Sequence, residues 1–175
     1  MHNDLKYKIG ITLIDGIGDI TAKKLIAYCG GVEAVFLEKK SALLKIPDVG
    51  GTVANAVVTQ SVLSKAEKEI EFIRKRNINP LFYLDNDYPE RLKYCDDSPV
   101  MLYCAGNMDL NRKRIVSIVG TRSATQHGKK LCEDLVAQLK HNNVSIISGL
   151  AYGIDITAHK AAVRHGVETC AVVAH

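Results

Sequence analysis

The chain has 175 residues, 47% of them hydrophobic and 24% charged, with a formal net charge of +4. That balance excludes a disordered or low-complexity chain and is compatible with a nucleic-acid partner without requiring one. No run approaches the ~18 apolar residues of a membrane helix, and Met1-His2-Asn3-Asp4 lacks the basic start of a secretion signal. The cysteines Cys29, Cys95, Cys104, Cys132 and Cys170 form no C-x-x-C pair. They read as reduced thiols of a cytoplasmic protein with no structural metal and no membrane contact.

Residues 1–78 read as a helical domain. Two glycine turns within it resemble each other: Leu13-Ile14-Asp15-Gly16-Ile17-Gly18-Asp19-Ile20-Thr21-Ala22, and Leu44 to Ala54 with its Asp48-Val49-Gly50-Gly51 centre. Each places an apolar residue just before the glycine that opens a helix, with Ala four residues beyond. This is the pattern of a tandem helix-hairpin-helix, in which unpaired N–H groups at the helix start attract phosphate. Gly16 and Gly18 are therefore candidate DNA contacts. The second copy carries Asp48 where the first has Gly16, and a carboxylate there opposes phosphate. The competing reading is that both turns pack a helical bundle or make protein contacts. A single last helix is predicted from Thr52 to Arg76, with Val53, Val57, Leu63, Ala66, Ile70 and Ile73 on one apolar stripe.

From residue 79 the pattern changes. Leu81 to Leu84 and Val100 to Cys104 read as short strands, separated by Asp85-Asn86-Asp87-Tyr88-Pro89 and Asp96-Asp97-Ser98-Pro99. Strand Ile115–Val119, helix Ala124–His141, strand Val144–Ile147, helix Ile154–Arg164 and strand Thr169–Val173 then follow in regular alternation. That order predicts a parallel α/β sheet with crossover helices, within a second domain that spans residues 79–175. Leu131, Leu135 and Leu139 are the expected sheet-facing row of the first crossover helix. Ala158, Ala161 and Ala162 permit close approach by the second.

Ligands of open parallel sheets bind at the carboxyl ends of the strands, so the informative turns follow Val119 and Ile147. The first, Gly120-Thr121-Arg122-Ser123, offers a glycine, two hydroxyls and a guanidinium suited to bidentate phosphate contact. The second, Ser148-Gly149-Leu150-Ala151-Tyr152-Gly153-Ile154-Asp155, offers two glycines and a hydroxyl before a helix start. The first turn reads G-T-R-S-A-T-Q-H-G rather than G-x-G-x-x-G, and no G-x-x-x-x-G-K-[ST] occurs. Neither a dinucleotide nor a P-loop nucleotide is expected as cofactor. Asp155 and His159 stand four apart on one helix face, where they form either a proton-transfer pair or a helix cap and a buried hydrogen-bonded imidazole.

Ile118-Val119-Gly120-Thr121-Arg122, Ile147 to Asp155 and Ala158-His159 together resemble the signature of the DNA processing protein A family, also called Smf. Asp87 to Leu92, Asp97 to Tyr103 and Gly106-Asn107 are similar to its lead-in, and the helical region 1–78 to its SAM-like accessory domain. The resemblance implies an extended Rossmann-like domain that binds single-stranded DNA and loads the RecA recombinase onto it in natural transformation, without enzymatic activity. It further implies Arg122 as a DNA-contacting arginine, with Gly120, Thr121, Ser123, Ser148, Gly149, Gly153 and Asp155 in a phosphate-cradling pocket. Tyr152 stands where many relatives carry Arg, and so either stacks on a base or packs. The family also implies a homodimer when full length, with dimer, RecA-binding and further strand-forming segments beyond His175. The chain is thus expected to be a fragment or truncated product.

Two other functions compete at this point. One is a Rossmann-like enzyme acting on a nucleoside phosphate, for which Asp155 and His159 are the candidate catalytic groups. The other is a helix-hairpin-helix DNA-binding module with the α/β unit as scaffold.

Overall fold

The computed structural model describes residues 2–174, which divide into two compact units, one up to Gly106 and one from Asn107. The change from helix to strand falls near residue 79, inside the first unit.

The first unit comprises α1 (His2–Thr12), α2 (Asp19–Cys29), α3 (Val32–Leu37), α4 (Lys40–Leu43), α5 (Gly51–Thr59) and α6 (Leu63–Lys75). To these it adds strand β1 (Asn79–Phe82), the short helix α7 (Glu90–Lys93) and strand β2 (Met101–Cys104). The two strands pair antiparallel, with Phe82 opposite Met101. Phe82, Val100 and Met101 join Ile9, Leu25 and Val57 in one buried core, which ties the hairpin to the helices. The long turn between the strands closes on Tyr88. This fully buried side chain donates its phenolic hydrogen to the Pro99 carbonyl at 2.6 Å, satisfying a polar group that burial would otherwise penalise.

The continuous helix expected from Thr52 to Arg76 is broken between Thr59 and Leu63. Gln60 is extended (φ −62°, ψ 151°), and its side-chain carbonyl accepts from the Val62 N–H at 2.9 Å. Apolar geometry gives the reason. In an unbroken helix Val62 would lie about 140° around the axis from Val57, so only one of them could face the core. The break buries both.

The two glycine turns share one backbone. Ile17 N bonds Ile14 O and Val49 N bonds Ile46 O; Ala22 N bonds Gly18 O and Ala54 N bonds Gly50 O. Gly18 and Gly50 take nearly the same cap conformation (φ −86° and −82°, ψ 174° in both). Gly16 and Asp48 both have positive φ, 79° and 61°. Asp is among the few side chains that tolerate this region, which is why the motif survives without its glycine in the second copy.

The second unit is a parallel sheet of β3 (Ile115–Ser117), β4 (Ser145–Ser148) and β5 (Glu168–Ala171) in the order 3-4-5, joined by α8 (Gln126–Leu139) and α9 (Ile154–His165). Both crossovers step in one direction across the sheet. Right-handed connections then place both helices on one face, and α8 and α9 pack against each other. Ala158, Ala161 and Ala162 are fully buried in this contact. Strand alternation assigns Val116, Ile118 and Ile146 to the covered face, where they pack with the helices.

The leucine row of α8 is a correction. Cys132 and Val136 are buried and Leu139 packs beside them, whereas Leu131 and Leu135 are 57% and 47% exposed. Residues 132, 136 and 139 form their own i, i+4, i+7 stripe, one step of about 100° from the leucines. The smaller stripe fits because α8 must share its sheet face with the alanine-rich α9. Burial raises the pKa of the Cys132 thiol, with the nearby Glu133 adding to the shift, so this thiol packs as a small apolar group.

Val136→Ala is expected to lower the unfolding free energy by roughly 1.5–3 kcal/mol through lost burial and a residual cavity. Leu131→Ala should change it by less than about 1 kcal/mol. Urea denaturation of both variants checks this, and the opposite order would restore the leucine row as the sheet-facing stripe.

Candidate functional site

Both candidate turns sit at the carboxyl ends of adjacent parallel strands. The β3–β4 ladder continues one step further through Ile118 N to Ile147 O, 2.9 Å. Ser148 is buried, and its hydroxyl donates to the Ile118 carbonyl at 2.6 Å. Ser148 therefore straps the end of β3 to β4.

Glycines bring the two turns into direct contact. A Cβ on Gly120 would lie 2.6 Å from Cγ1 and 2.8 Å from Cβ of Ile154, so the first turn rests on the opening residue of α9. Gly153 has φ 86° and ψ −122°, a region open essentially to glycine alone. Its missing Cβ would collide with the carbonyl oxygens of Thr121 and Arg122. Ile154 N then donates to Thr121 O at 3.2 Å. A Cβ on Gly149 would meet Asp155 Oδ2 at 2.6 Å, so the buried Asp155 carboxylate lies against the backbone of the second turn.

These contacts determine which donors remain for a ligand. At the start of α9, Ile154 N is engaged by Thr121 O, Ile156 N by Ala151 O and Thr157 N by Gly153 O. That helix start serves the fold, and its buried aspartate further disfavours an anion there. At α8 the side chain of Thr125 accepts from Gly128 N at 3.1 Å as a helix cap. In the first turn Ser123 N donates to Thr121 Oγ1 at 3.2 Å. Among the described residues, no internal acceptor engages the N–H groups of Gly120, Thr121 or Arg122. Arg122 is exposed and forms no ion pair among them. The first turn thus presents the Gly120, Thr121 and Arg122 N–H groups beside the Arg122 guanidinium, while Ser148, Gly149, Gly153 and Asp155 build the platform beneath them.

His159 is buried and both its nitrogens are engaged. Nε2 faces the Gly149 carbonyl at 2.7 Å and must carry the hydrogen, since a carbonyl only accepts; Nδ1 contacts the Thr169 hydroxyl at 2.7 Å. The ring thus pins α9 to the end of β4 and to β5. Of the two sequence readings of this residue, the hydrogen-bonded core histidine is the one that the geometry matches. Tyr152 and Leu150 are 85% and 60% exposed on the second turn.

Gly16 and Gly18 lie in the first unit, where the Asp19 and Lys23 side chains of α2 are used internally. Asp19 Oδ1 accepts from Val100 N at 2.7 Å, and Lys23 Nζ donates to Asp96 O and Ser98 Oγ at 2.9 and 2.7 Å. A shallow depression beside Gly18 is lined by Asp19 and Asp97, whose carboxylates oppose a phosphate. Sequence reading missed Asp19 as a bracket for the β2 lead-in, although an acid at the first position of a helix was the available signal. It also placed the start of α8 at Ala124 and so passed over the Thr125 cap.

Comparison with known proteins supplies the context. The sequence profile of a family described as DNA recombination-mediator protein A matches residues 79–175. DNA processing protein DprA of Streptococcus pneumoniae is 42% identical over 90 residues, covering 51% of this chain and 32% of that protein. DNA processing protein DprA of Bacillus subtilis is 34% identical over 63% of this chain and 37% of its own length. Protein Smf of a Synechocystis strain is 27% identical over 98% of this chain and 44% of its own. The chain thus spans between 32% and 44% of the length of these relatives. The X-ray structure of DNA processing protein A from S. pneumoniae superposes with a TM-score of 0.53 at 29% identity, covering 89% of this chain and 57% of that one.

Gly153→Ala should destabilise the protein by roughly 2–5 kcal/mol, the sum of conformational strain and a backbone collision. Gly166→Ala is the control: φ is also positive (69°), but nothing lies within 4 Å of the added methyl, so about 1–2 kcal/mol is expected. Equal losses in denaturant titrations would show that the turns are not wedged together.

Proposed function

This chain belongs to the DNA recombination-mediator protein A family, and from that premise we propose that it binds single-stranded DNA through the Gly120-Thr121-Arg122-Ser123 turn. The bound strand is then presented to the RecA recombinase during natural transformation, in the cytoplasm and without turnover of a substrate. Contact with RecA and homodimerisation are assigned to the whole protein, since the chain spans less than half the length of its curated relatives.

One observation carries this reading: an exposed arginine, unpaired among the described residues, on a turn where the N–H groups of Gly120, Thr121 and Arg122 have no internal acceptor among them. A guanidinium pairs with phosphate bidentately, and adjacent backbone N–H groups supply shorter-range donors to the same oxygens. Such contacts read the sugar-phosphate chain and not base identity, so binding should be tolerant of sequence and sensitive to salt. Asp155 and His159 serve this function as framework, holding the second turn beneath the first. The family's description as a DNA recombination mediator and the relatives' names, DNA processing protein among them, support DNA as the partner.

Arg122→Ala in the intact protein is expected to weaken binding to unrelated single-stranded oligonucleotides by roughly 10- to 100-fold, the range of a charged hydrogen-bonded contact. The slope of log affinity against log salt should fall in magnitude by about 0.7 for one lost phosphate contact. Arg122→Lys should restore part of the affinity, as a point charge without the bidentate fork. Fluorescence anisotropy across a salt series measures all three. Undiminished affinity of Arg122→Ala at moderate salt would overturn the assignment.

A further inference from the structure

We propose that Tyr152 is a nucleobase-stacking platform, so that the site selects unstacked bases as well as phosphates. This rests on the nucleic-acid reading above and adds to it the source of single-strand preference.

An exposed tyrosine is by itself an ordinary surface residue. Tyr152 differs in how it is held. The residue is 85% exposed, yet the loop that carries it is fixed at both sides. On one side Ser148 straps to Ile118 O and the Gly149 carbonyl is held by His159. On the other, Gly153 is wedged under the Thr121 and Arg122 carbonyls, and Ile156 N bonds Ala151 O. The aromatic side chain is therefore presented on a pre-ordered backbone, which lowers the entropy lost when a ligand docks.

The position of the residue identifies the ligand. Gly153 touches the Thr121–Arg122 peptide, and Tyr152 is its immediate chain neighbour, one Cα step of about 3.8 Å away. Phenol and guanidinium thus emerge from touching turns. Leu150, 60% exposed two residues earlier, adds an apolar surface on the same loop. A pocket for free phosphate would gain nothing from this aromatic and aliphatic pair. Duplex DNA would not engage it either, because its base faces are covered by stacking. A single strand offers a phosphate and an adjacent open base face within one nucleotide, and both surfaces then have a partner.

The test uses the intact protein with a fluorescent single-stranded oligonucleotide and a matched one carrying abasic sites, which keeps phosphates and removes bases. Tyr152→Ala is expected to weaken binding of the normal strand by about ten-fold and to leave the abasic strand unchanged, whereas Tyr152→Phe retains parental affinity for both. Tyr94→Ala removes the side chain of an equally exposed residue, 88% accessible, from a position outside both turns and should alter neither. Circular dichroism confirms that each variant is folded. Parental binding of the normal strand by Tyr152→Ala, or an equal loss on both strands, overturns the proposal. If Arg122→Ala leaves both strands unaffected while Tyr152→Ala still separates them, the phosphate assignment falls and the stacking platform stands. A parent protein that binds neither strand overturns both.

Discussion

The contact between Gly153 and the Thr121–Arg122 peptide governs the second unit. It makes two loops from different crossovers into one body, because the glycine occupies a conformation other residues avoid and a space that no side chain fits. The Ile154 N–H to Thr121 carbonyl bond then sets the height of the first turn over α9, and Gly120 rests on the Ile154 side chain. Ser148, Asp155 and His159 reinforce the same joint from below. Removal of any one reinforcement leaves the others, whereas a side chain at 153 drives the two turns apart.

That joint also redistributes hydrogen-bonding capacity. A glycine-rich turn before a helix is usually an anion site because the first helical N–H groups lack partners. Here carbonyls of both turns engage the N–H groups of Ile154, Ile156 and Thr157 at the start of α9, and the Asp155 carboxylate lies against the Gly149 backbone. The glycines of the second turn serve close packing, since a Cβ on Gly149 would meet the Asp155 carboxylate and one on Gly153 the Thr121 and Arg122 carbonyls. The first turn carries Arg122, and the second supports it and exposes Tyr152 and Leu150.

Features that depend on backbone or period were legible in the sequence. The alternation of strand and helix from Ile115 onward gives the parallel sheet, and glycines 120, 149 and 153 mark the turns where chains approach closely. Features that depend on which neighbours share a surface were not. Leu131 and Leu135 outrank Cys132 and Val136 in hydrophobicity, yet a crowded helix pair selects the smaller stripe. Val53 to Ile73 reads as one apolar face, yet Val57 and Val62 can both reach the core only if the helix breaks between them. The hydroxyl of Ser148 was legible as a polar group at a strand end, but its use as a strap depends on where the Ile118 carbonyl falls in a parallel register.

The paired hairpins of the first unit make the same point about local motifs. Thirty-two residues apart, at Gly18 and Gly50, the chain repeats a turn with matched torsions and matched hydrogen bonds. The side chains at the helix start then send the two copies in different directions. Asp19 turns the first into an internal bracket that receives Val100 N, and Asp97 adds a second carboxylate beside it. Gly51 holds the equivalent place in the second copy, while Asp48, with a pKa lowered by its hydrogen bond and charge pairing to Lys24, joins that turn to α2. A helix start supplies partial positive charge wherever it occurs. Whether an anion can use it depends on the first-turn side chains and on what the rest of the fold has already placed there, and neither is contained in the spacing of glycines.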